Sequence, residues 1–448
     1  MAKRRLRRKG KDKKKHPMKF FDPTWDNLVI GLTGPIGSGC STMAKVLEGM
    51  QEYLKALEVD KFHRYKISNF IEKEIPENKN RQKHHRNWRK RLQDQGNKQR
   101  QTNPAYWAEK VIAQIRKDTK KIRKSPIVID GIRNFNEIDA FRRAFTRFYL
   151  VALYAEKENR QKRAKQSYGE YWAEFDRDDK RDQNEDIFWG QTVSKCVDEA
   201  DYVFCNNEQR FRMTTKGEEK PDESEVEKIL ETQAEEFLPL MLGKQGRSPT
   251  PEELQMAAAY ALSNASSCEK RHVGAVITIP SEGRNLPISM GFNENPSGIP
   301  TCRESGGCFK DNDLESYFKS WETLYCPECG TKLDSPTVRT QCGKCHASLK
   351  SLLRPNRGLE ICTAIHAEER AIRTLGDRTA KGGTLYVTTF PCFQCARLVL
   401  DVGIKRIVYV EAYPGAHARK LLDNNGCKAE PFSGFTARAF FRVFPRIS

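Results

Sequence analysis

No run of apolar residues in this chain approaches the ~18 that a bilayer-crossing helix needs, so a membrane-spanning segment is not expected. The first residues hold no apolar signal core, and the chain reads as cytoplasmic. Acidic residues are scarce where basic ones gather. Residues 3–19 hold eleven Lys or Arg and a single acid, Asp12; residues 79–91 hold seven more and no acid. Over 448 residues, 78 Lys and Arg stand against 59 Asp and Glu, a formal net charge of +19. Such runs serve either as solvated tails or as an electrostatic footprint for nucleic acid. Trp88, beside His84 and His85 in the second run, suits stacking on an unpaired base. Residues 1–24 read as a disordered basic tail. Fourteen cysteines do not imply a disulfide framework, because six of them sit in C-x-x-C pairs, a metal-type spacing that fits a reducing compartment.

The most informative of those pairs is Cys392-Phe-Gln-Cys395. Pro391 precedes it, and it lies downstream of His366-Ala-Glu368. One imidazole and two thiolates can hold a zinc ion and leave its fourth position to water, whose pKa the metal lowers to about 7. Glu368 stands two residues from a ligand and can carry protons. That set suits addition of water to C4 of a cytosine ring with loss of ammonia. The competing reading is a closed structural zinc site, but no fourth ligand lies near the motif. The segment 383–389 reads as a buried strand. Cys392 to Val402 reads as a helix, and a second helix is expected to start near Ile361 and carry His366 and Glu368. Both helix N-termini would face the metal, and their dipoles favour thiolate.

Upstream, Asn27-Leu-Val-Ile-Gly-Leu-Thr33 is a strand pattern. It runs into Gly34-Pro-Ile-Gly37-Ser38-Gly39-Cys40-Ser41-Thr42 and then a helix through Met50. Strand, glycine-rich turn and helix form the context of a phosphate-binding loop, in which backbone N–H groups cradle phosphates. Ser41 stands where a hydroxyl would meet Mg2+, and Asp130 ends a second strand as a candidate partner for that ion. Position 40 should be the Lys that reaches the outer phosphates of ATP or GTP. Cys40 carries no such charge, which puts phosphoryl transfer in doubt. Further strands at 147–153 and near 202–206, with intervening helices, give a parallel doubly wound α/β domain over residues 25–210. This stretch resembles a P-loop nucleotide kinase of the nucleoside-monophosphate and dephospho-CoA kinase kind. Residues 211–247 read as a linker containing a helix.

The second half, 248–448, opens on Thr250-Pro251-Glu-Glu253. Thr250 is an N-cap, Pro251 lies at N1 and Glu253 at N3. Strands are expected at 272–279, 286–293, 383–389 and 406–410, giving a mixed sheet between helices. A long insertion precedes His366. In it Cys326-Pro-Glu-Cys329 and Cys342-Gly-Lys-Cys345 have the spacing of a closed four-thiolate zinc ribbon, placed at about 322–349. Cys302 and Cys308 stay unassigned; Cys362 and Cys427 read as core cysteines.

Residues 250–415 resemble deoxycytidylate deaminases. The resemblance rests on the zinc motif and on Ser267-Cys268-Glu-Lys-Arg-His-Val-Gly-Ala-Val-Ile277, followed by Gly291-Phe-Asn293-Glu-Asn-Pro296-Ser-Gly298. It implies a cytidine-deaminase-like α/β/α fold, with His366, Cys392 and Cys395 as ligands of the catalytic zinc and Glu368 as the proton shuttle. It also implies a sugar contact at Asn293, with Lys270 and Arg271 as candidates for the phosphate. A P-loop domain ahead of such a deaminase resembles bacterial anti-phage deoxycytidine nucleotide deaminases. That likeness implies conversion of dCTP or dCMP to the uracil form, restraint by a small non-coding RNA and a homo-oligomer. Two other readings use the same residues: a deaminase that edits tRNA or single-stranded DNA, and an RNA-binding regulator with a vestigial site.

Overall fold

The computed structural model describes residues 27–75, 88–122, 125–168, 173–183, 190–207, 211–213, 219–221, 223–244, 246–281, 284–308, 324–325, 329–333, 344–345, 362–411 and 416–445. The basic tail 1–24 lies outside them. So do residues 79–87 of the second basic run, and Cys326 and Cys342 of the expected ribbon.

The first half is built on β1 (Val29–Thr33), β2 (His63–Lys66), β3 (Ile127–Ile132), β4 (Phe148–Tyr154) and β5 (Tyr202–Cys205). These strands lie parallel in the order β5-β4-β1-β3-β2. A strand covered by helices on both faces reads as a continuous apolar run. β1 and β4 do so, and every residue of β1 is buried. One face packs on the helices Tyr106–Ile122 and Phe135–Ala144 through Val111, Ile115 and Phe141. The other packs on Cys40–Gly49 through Met43 and Leu47. The stretch expected as a linker carries a short antiparallel ribbon, β6 (Phe211–Met213) with β7 (Glu219–Pro221), and then the helix Glu223–Met241. Leu230, Ala234, Phe237 and Leu238 of that helix are buried in the same core as Met43 and Leu47. An amphipathic stripe at helical spacing has made it part of the first domain.

The second sheet is mixed. It contains β8 (Gly274–Ser281), β9 (Arg284–Phe292), β12 (Thr384–Thr389), β13 (Arg406–Glu411) and β14 (Lys428–Pro431), ordered β14-β13-β12-β8-β9. Its strands alternate with period two. Ala275, Ile277, Leu385, Val387, Ile407 and Tyr409 face the helices Ala367–Arg373, Phe393–Asp401 and Ala416–Asn424. Val276, Tyr386 and Val408 face the helix Pro251–Ser263 and, beyond it, the first half. That helix begins as its sequence predicts. Glu253 N–H donates to Thr250 Oγ1 (3.1 Å), and Thr250 N–H donates to the Glu253 carboxylate (2.8 Å). In the insertion of the second half, β10 (Leu324–Tyr325) and β11 (Lys332–Leu333) pair antiparallel on either side of Cys329. Gly330 takes a positive φ of 64° there, as a tight knuckle turn requires.

The two halves do not divide at residue 248. β15 (Gly434–Phe435), near the end of the chain, pairs antiparallel with β5 and completes the first sheet as its sixth strand. The helix Ala437–Val443 then places Ala439 and Val443 in the first-half core with Phe435 and Tyr202. A single buried apolar cluster also runs from Ala200 and Val203 through Phe432 and Met256 to Tyr386 and Val408.

Candidate active site

His366 is the N-cap of the helix Ala367–Arg373, which therefore starts at Ala367 rather than near Ile361. Cys392 is the N-cap of Phe393–Asp401. Glycine at 291 lets the first of these helices sit against β9. A Cβ there would stand 2.5 Å from the carbonyl oxygen of Ala367 and 2.5 Å from the nitrogen of Ala371. Both helix N-termini thus point at one spot at the C-terminal end of β12, the end where Pro391 stops the strand.

At that spot His366 Nδ1 lies 3.5 Å from Cys392 Sγ and 3.3 Å from Cys395 Sγ. All three donor atoms fall within 4.8 Å of one another. A tetrahedral zinc with bonds of ~2.0–2.3 Å separates its ligand atoms by roughly 3.3–3.8 Å, so the three residues fit the ion. The backbone N–H of Cys395 also points at Cys392 Sγ (3.5 Å), as a C-x-x-C turn on a helix start provides. Hydrogen bonding from Cys395 and from His366 lowers the Cys392 thiol below its ordinary range and favours the thiolate. The same hydrogen bond raises the His366 imidazolium above its ordinary range. Burial pushes the Glu368 carboxyl up to about 7, against the opposing charge of His366. A carboxyl poised near neutrality is suited to accept and return a proton.

These residues open into a cavity of about 200 Å3. His366, Glu368 and Cys392 line it, together with Asn293, Lys270 and Arg271, so every candidate substrate contact shares this wall. Cys395 is buried behind it. The Asn293 amide fixes the loop in front of β8: its Nδ2 donates to Arg271 O (2.9 Å), and its Oδ1 accepts from Val273 N–H (2.7 Å). One N–H and one lone pair remain for a ligand. Thr389 also lines the cavity and donates to Glu411 (3.0 Å), whose other oxygen accepts from Arg271 (2.8 Å). Sequence reading passed over Thr389 and Glu411, since a strand-end Thr and Glu carry no motif. Cys362, expected in the core, is half-buried and lines the cavity, as do Cys268 and Cys308. Cys302 and Cys427 are buried.

In the first half the glycine-rich turn takes the backbone of a phosphate loop. Gly37 and Gly39 have φ of 83° and 108°, and Gly39 caps the helix that starts at Cys40. Ser41 Oγ donates to Asp130 (2.9 Å), so the residues expected at Mg2+ do meet. Arg64 also pairs with Asp130 (2.5 Å). Burial pushes the Cys40 thiol up to about 12, and it is neutral, 3.5 Å from Ser38 Oγ. Arg160 donates to Ile36 O (3.0 Å), Arg163 to Gly37 O (3.2 Å), and Asn206 to Ser38 O (2.8 Å). These bonds brace the turn from behind. Trp88 is a correction: it is 8% exposed, packed at the start of the helix Trp88–Thr102, and is not a surface stacking platform. Its indole is large and apolar enough to be drawn into the core despite the charges beside it in sequence.

A mixed sheet, two helix starts and a His-x-Glu with Pro-Cys-x-x-Cys meeting at one point define a zinc-binding deaminase domain behind a P-loop half. The family model described as the cytidine and deoxycytidylate deaminase zinc-binding region matches residues 249–411, and one described as an AAA domain matches 30–187. The chain is 31% identical over 160 residues to the deoxycytidylate deaminase of Enterobacteria phage T4, covering 35% of this chain and 75% of that protein. It is 28% identical over 222 residues to the deoxycytidylate deaminase of Saccharomyces cerevisiae, covering 49% and 53%. With that of Schizosaccharomyces pombe it shares 27% over 186 residues, covering 41% and 44%. It thus spans about half the length of the yeast relatives. The chain belongs to the cytidine and deoxycytidylate deaminase family and carries a P-loop kinase-like half ahead of that domain. Among the described residues no helix is long and apolar enough to cross a membrane.

Proposed function

We propose that the protein hydrolyses the amino group of deoxycytidine nucleotides, dCTP or dCMP, to give the uracil form and ammonia. The observation that carries this is the meeting of His366, Cys392, Cys395 and Glu368 at one small cavity. Zinc bound by the two thiolates and the imidazole would polarise a water and lower its pKa to about 7. Glu368 would take that water's first proton as its oxygen bonds to C4 and deliver it to ring nitrogen N3; it would then take the second proton from the C4 hydroxyl and pass it to the amino group, so that the C4–N bond breaks, ammonia leaves and the carbonyl forms. Asn293 contacts the sugar through its remaining N–H. Lys270 and Arg271, on the same wall, receive the phosphate. A cavity of about 200 Å3 accommodates the pyrimidine ring and leaves the phosphate at the mouth.

A second zinc, on Cys326, Cys329, Cys342 and Cys345, would shape the insertion. Mg2+ with ATP or GTP at Gly34, Gly37, Ser38, Gly39, Ser41, Thr42 and Asp130 is a further reading; the neutral thiol of Cys40 speaks against transfer of phosphate from that nucleotide. The resemblance to anti-phage deaminases supports a cytoplasmic, oligomeric enzyme that depletes cytosine nucleotides under the restraint of a non-coding RNA, and the basic run 3–19 suits an RNA partner. The test is a substrate panel. Full-length protein is incubated with dCMP, dCTP or a cytosine-containing oligonucleotide, and ammonia is measured. Release from either free nucleotide supports the proposal. Release from the oligonucleotide alone moves the protein to the polynucleotide-editing class.

A further inference from the structure

Glu411, the last residue of β13, lies outside the zinc motif, yet two residues of the catalytic cavity wall are tied to it. One carboxylate oxygen accepts from Arg271 (2.8 Å) and the other from Thr389 Oγ1 (3.0 Å). The Arg271 and Glu411 side chains are 43% and 28% exposed, so the pair stands at the mouth of the cavity. An ion pair that exposed adds little to folding. Its charge acts instead on what enters. Both partners are fixed in place: Thr389 anchors the carboxylate, and Asn293 Nδ2 holds the backbone carbonyl of Arg271 (2.9 Å). Beyond Glu411, the helix Val193–Asp198 of the first half packs against β13 and brings a second carboxyl, Asp198. Burial and then the charge of Glu411 raise its proton affinity. Among the described residues lining the cavity, Lys270 and Arg271 are the cations apart from the His366 imidazole. One of those two therefore meets an incoming phosphate with its charge already offset by Glu411.

We propose that Glu411 is a specificity-determining residue of the pocket: its negative charge beside Arg271 disfavours each phosphate beyond the first. This role rests on the deoxycytidine-nucleotide reading of the cavity. The phosphate next to the sugar falls on Lys270 and Arg271. Further phosphates extend past those two cations into the field of Glu411, and like charges repel. Specificity is a difference between two affinities. Whatever Glu411 does to both nucleotides alike, such as holding Arg271 at its angle, cancels in that difference. What remains is the added charge of the longer phosphate chain.

The experiment is steady-state deamination of dCMP and of dCTP by the full-length protein in Mg2+-free buffer, with ammonia as the readout. Glu411→Gln removes the charge and keeps the shape. It raises the ratio of kcat/KM for dCTP to that for dCMP by roughly 3–10-fold, the scale of one charge acting across a solvated mouth, and the change lies in KM. Glu411→Ala, a second neutral variant, moves the ratio in the same sense. Glu411→Asp keeps the charge and keeps the wild-type ratio. At ~1 M salt, where charges are screened within ~3 Å, the gap between Glu411→Gln and wild type closes. Partial misfolding lowers both rates together and leaves the ratio alone. A ratio that neither neutral variant moves overturns the role of Glu411 and leaves the deaminase standing. So does an equal shift in Glu411→Asp, or a shift that persists at high salt. Ammonia from neither nucleotide with the wild-type protein overturns the deaminase reading itself, and this role with it.

Discussion

Glu368 is 4% exposed, and its carboxylate faces the same cavity as the imidazole of His366. Burial alone would make it a poor anion and a good acid; the neighbouring His366 charge pulls it back, and the balance lies near 7. The proposed shuttle role would require Glu368 to gain and lose a proton within each cycle, and this balance suits it. Glu368→Gln keeps the shape and removes the titration. Turnover should fall by roughly 10²–10⁴-fold, while zinc measured by elemental analysis stays at the wild-type level; retained activity would reject the assignment. Asp198 shows the opposite use of burial. It is a half-buried residue of the helix Val193–Asp198, and its carboxyl is pushed up to about 7, first by burial and then by Glu411 and Glu199, against Arg271 and Arg438. Its folded pKa is raised above 3.8, so the stability it contributes is present at acid pH and is lost as pH rises towards 7. Asp198→Asn should therefore raise the melting temperature most at pH 8, less at pH 5 and least below pH 3.8, as differential scanning fluorimetry would show. An equal shift at all three values would contradict the coupling.

At the scale of elements, the site depends on two helices being brought close enough for their first turns to bring His366, Cys392 and Cys395 together. Gly291 is the contact that permits this for the His366 helix, because β9 and that helix touch backbone to backbone. Gly291→Ala must push the helix away. A destabilisation of roughly 1–3 kcal/mol by urea unfolding is expected, with weakened zinc retention against a chelator. Unchanged retention would mean that the neighbouring backbone gives way without moving His366. The helix Pro251–Ser263 illustrates local and distant demands on one side chain. Glu253 completes the capping box that its sequence announces, yet it also pairs with Arg247 (2.6 Å) and accepts Phe435 N–H (2.9 Å). A residue recognised as a helix cap is therefore also a fastening for the end of the chain.

For the whole molecule, the return of the chain end to the first sheet matters most. Phe435 is fully buried against Tyr202 and Phe237, with ring centroids 4.9 Å apart for Phe435 and Tyr202. Ending the chain before Gly434 removes this plug, and loss of the Phe435 ring alone costs roughly 3–5 kcal/mol. Such a truncation should melt well below the full chain and expose the first half to limited proteolysis, although it leaves His366, Glu368, Cys392 and Cys395 in place. A truncated protein as stable as the full one would show that the two halves fold independently.

Much of this was legible in the residues themselves. The zinc motif, the phosphate-loop turn, the Thr250 cap and the strands expected at 272–279 and 383–389, found at 274–281 and 384–389, are announced by local chemistry: ligand spacing, glycine placement and period-two alternation. Those signals act over a few residues and need no partner. Other features depend on groups far apart in sequence. Trp88 lies in a basic run and is nevertheless buried, because a large ring gains more from the core than its charged neighbours can prevent. Cys362 and Thr389 line the cavity, with Glu411 behind Thr389, only because the tertiary fold brings them there. The helix Glu223–Met241 and the strand Gly434–Phe435 join the first half because their apolar faces find a complementary surface there. The chemistry of the metal site was written in the amino-acid order; which residues surround it, and where one half of the molecule ends, was decided by long-range packing, which no local pattern encodes.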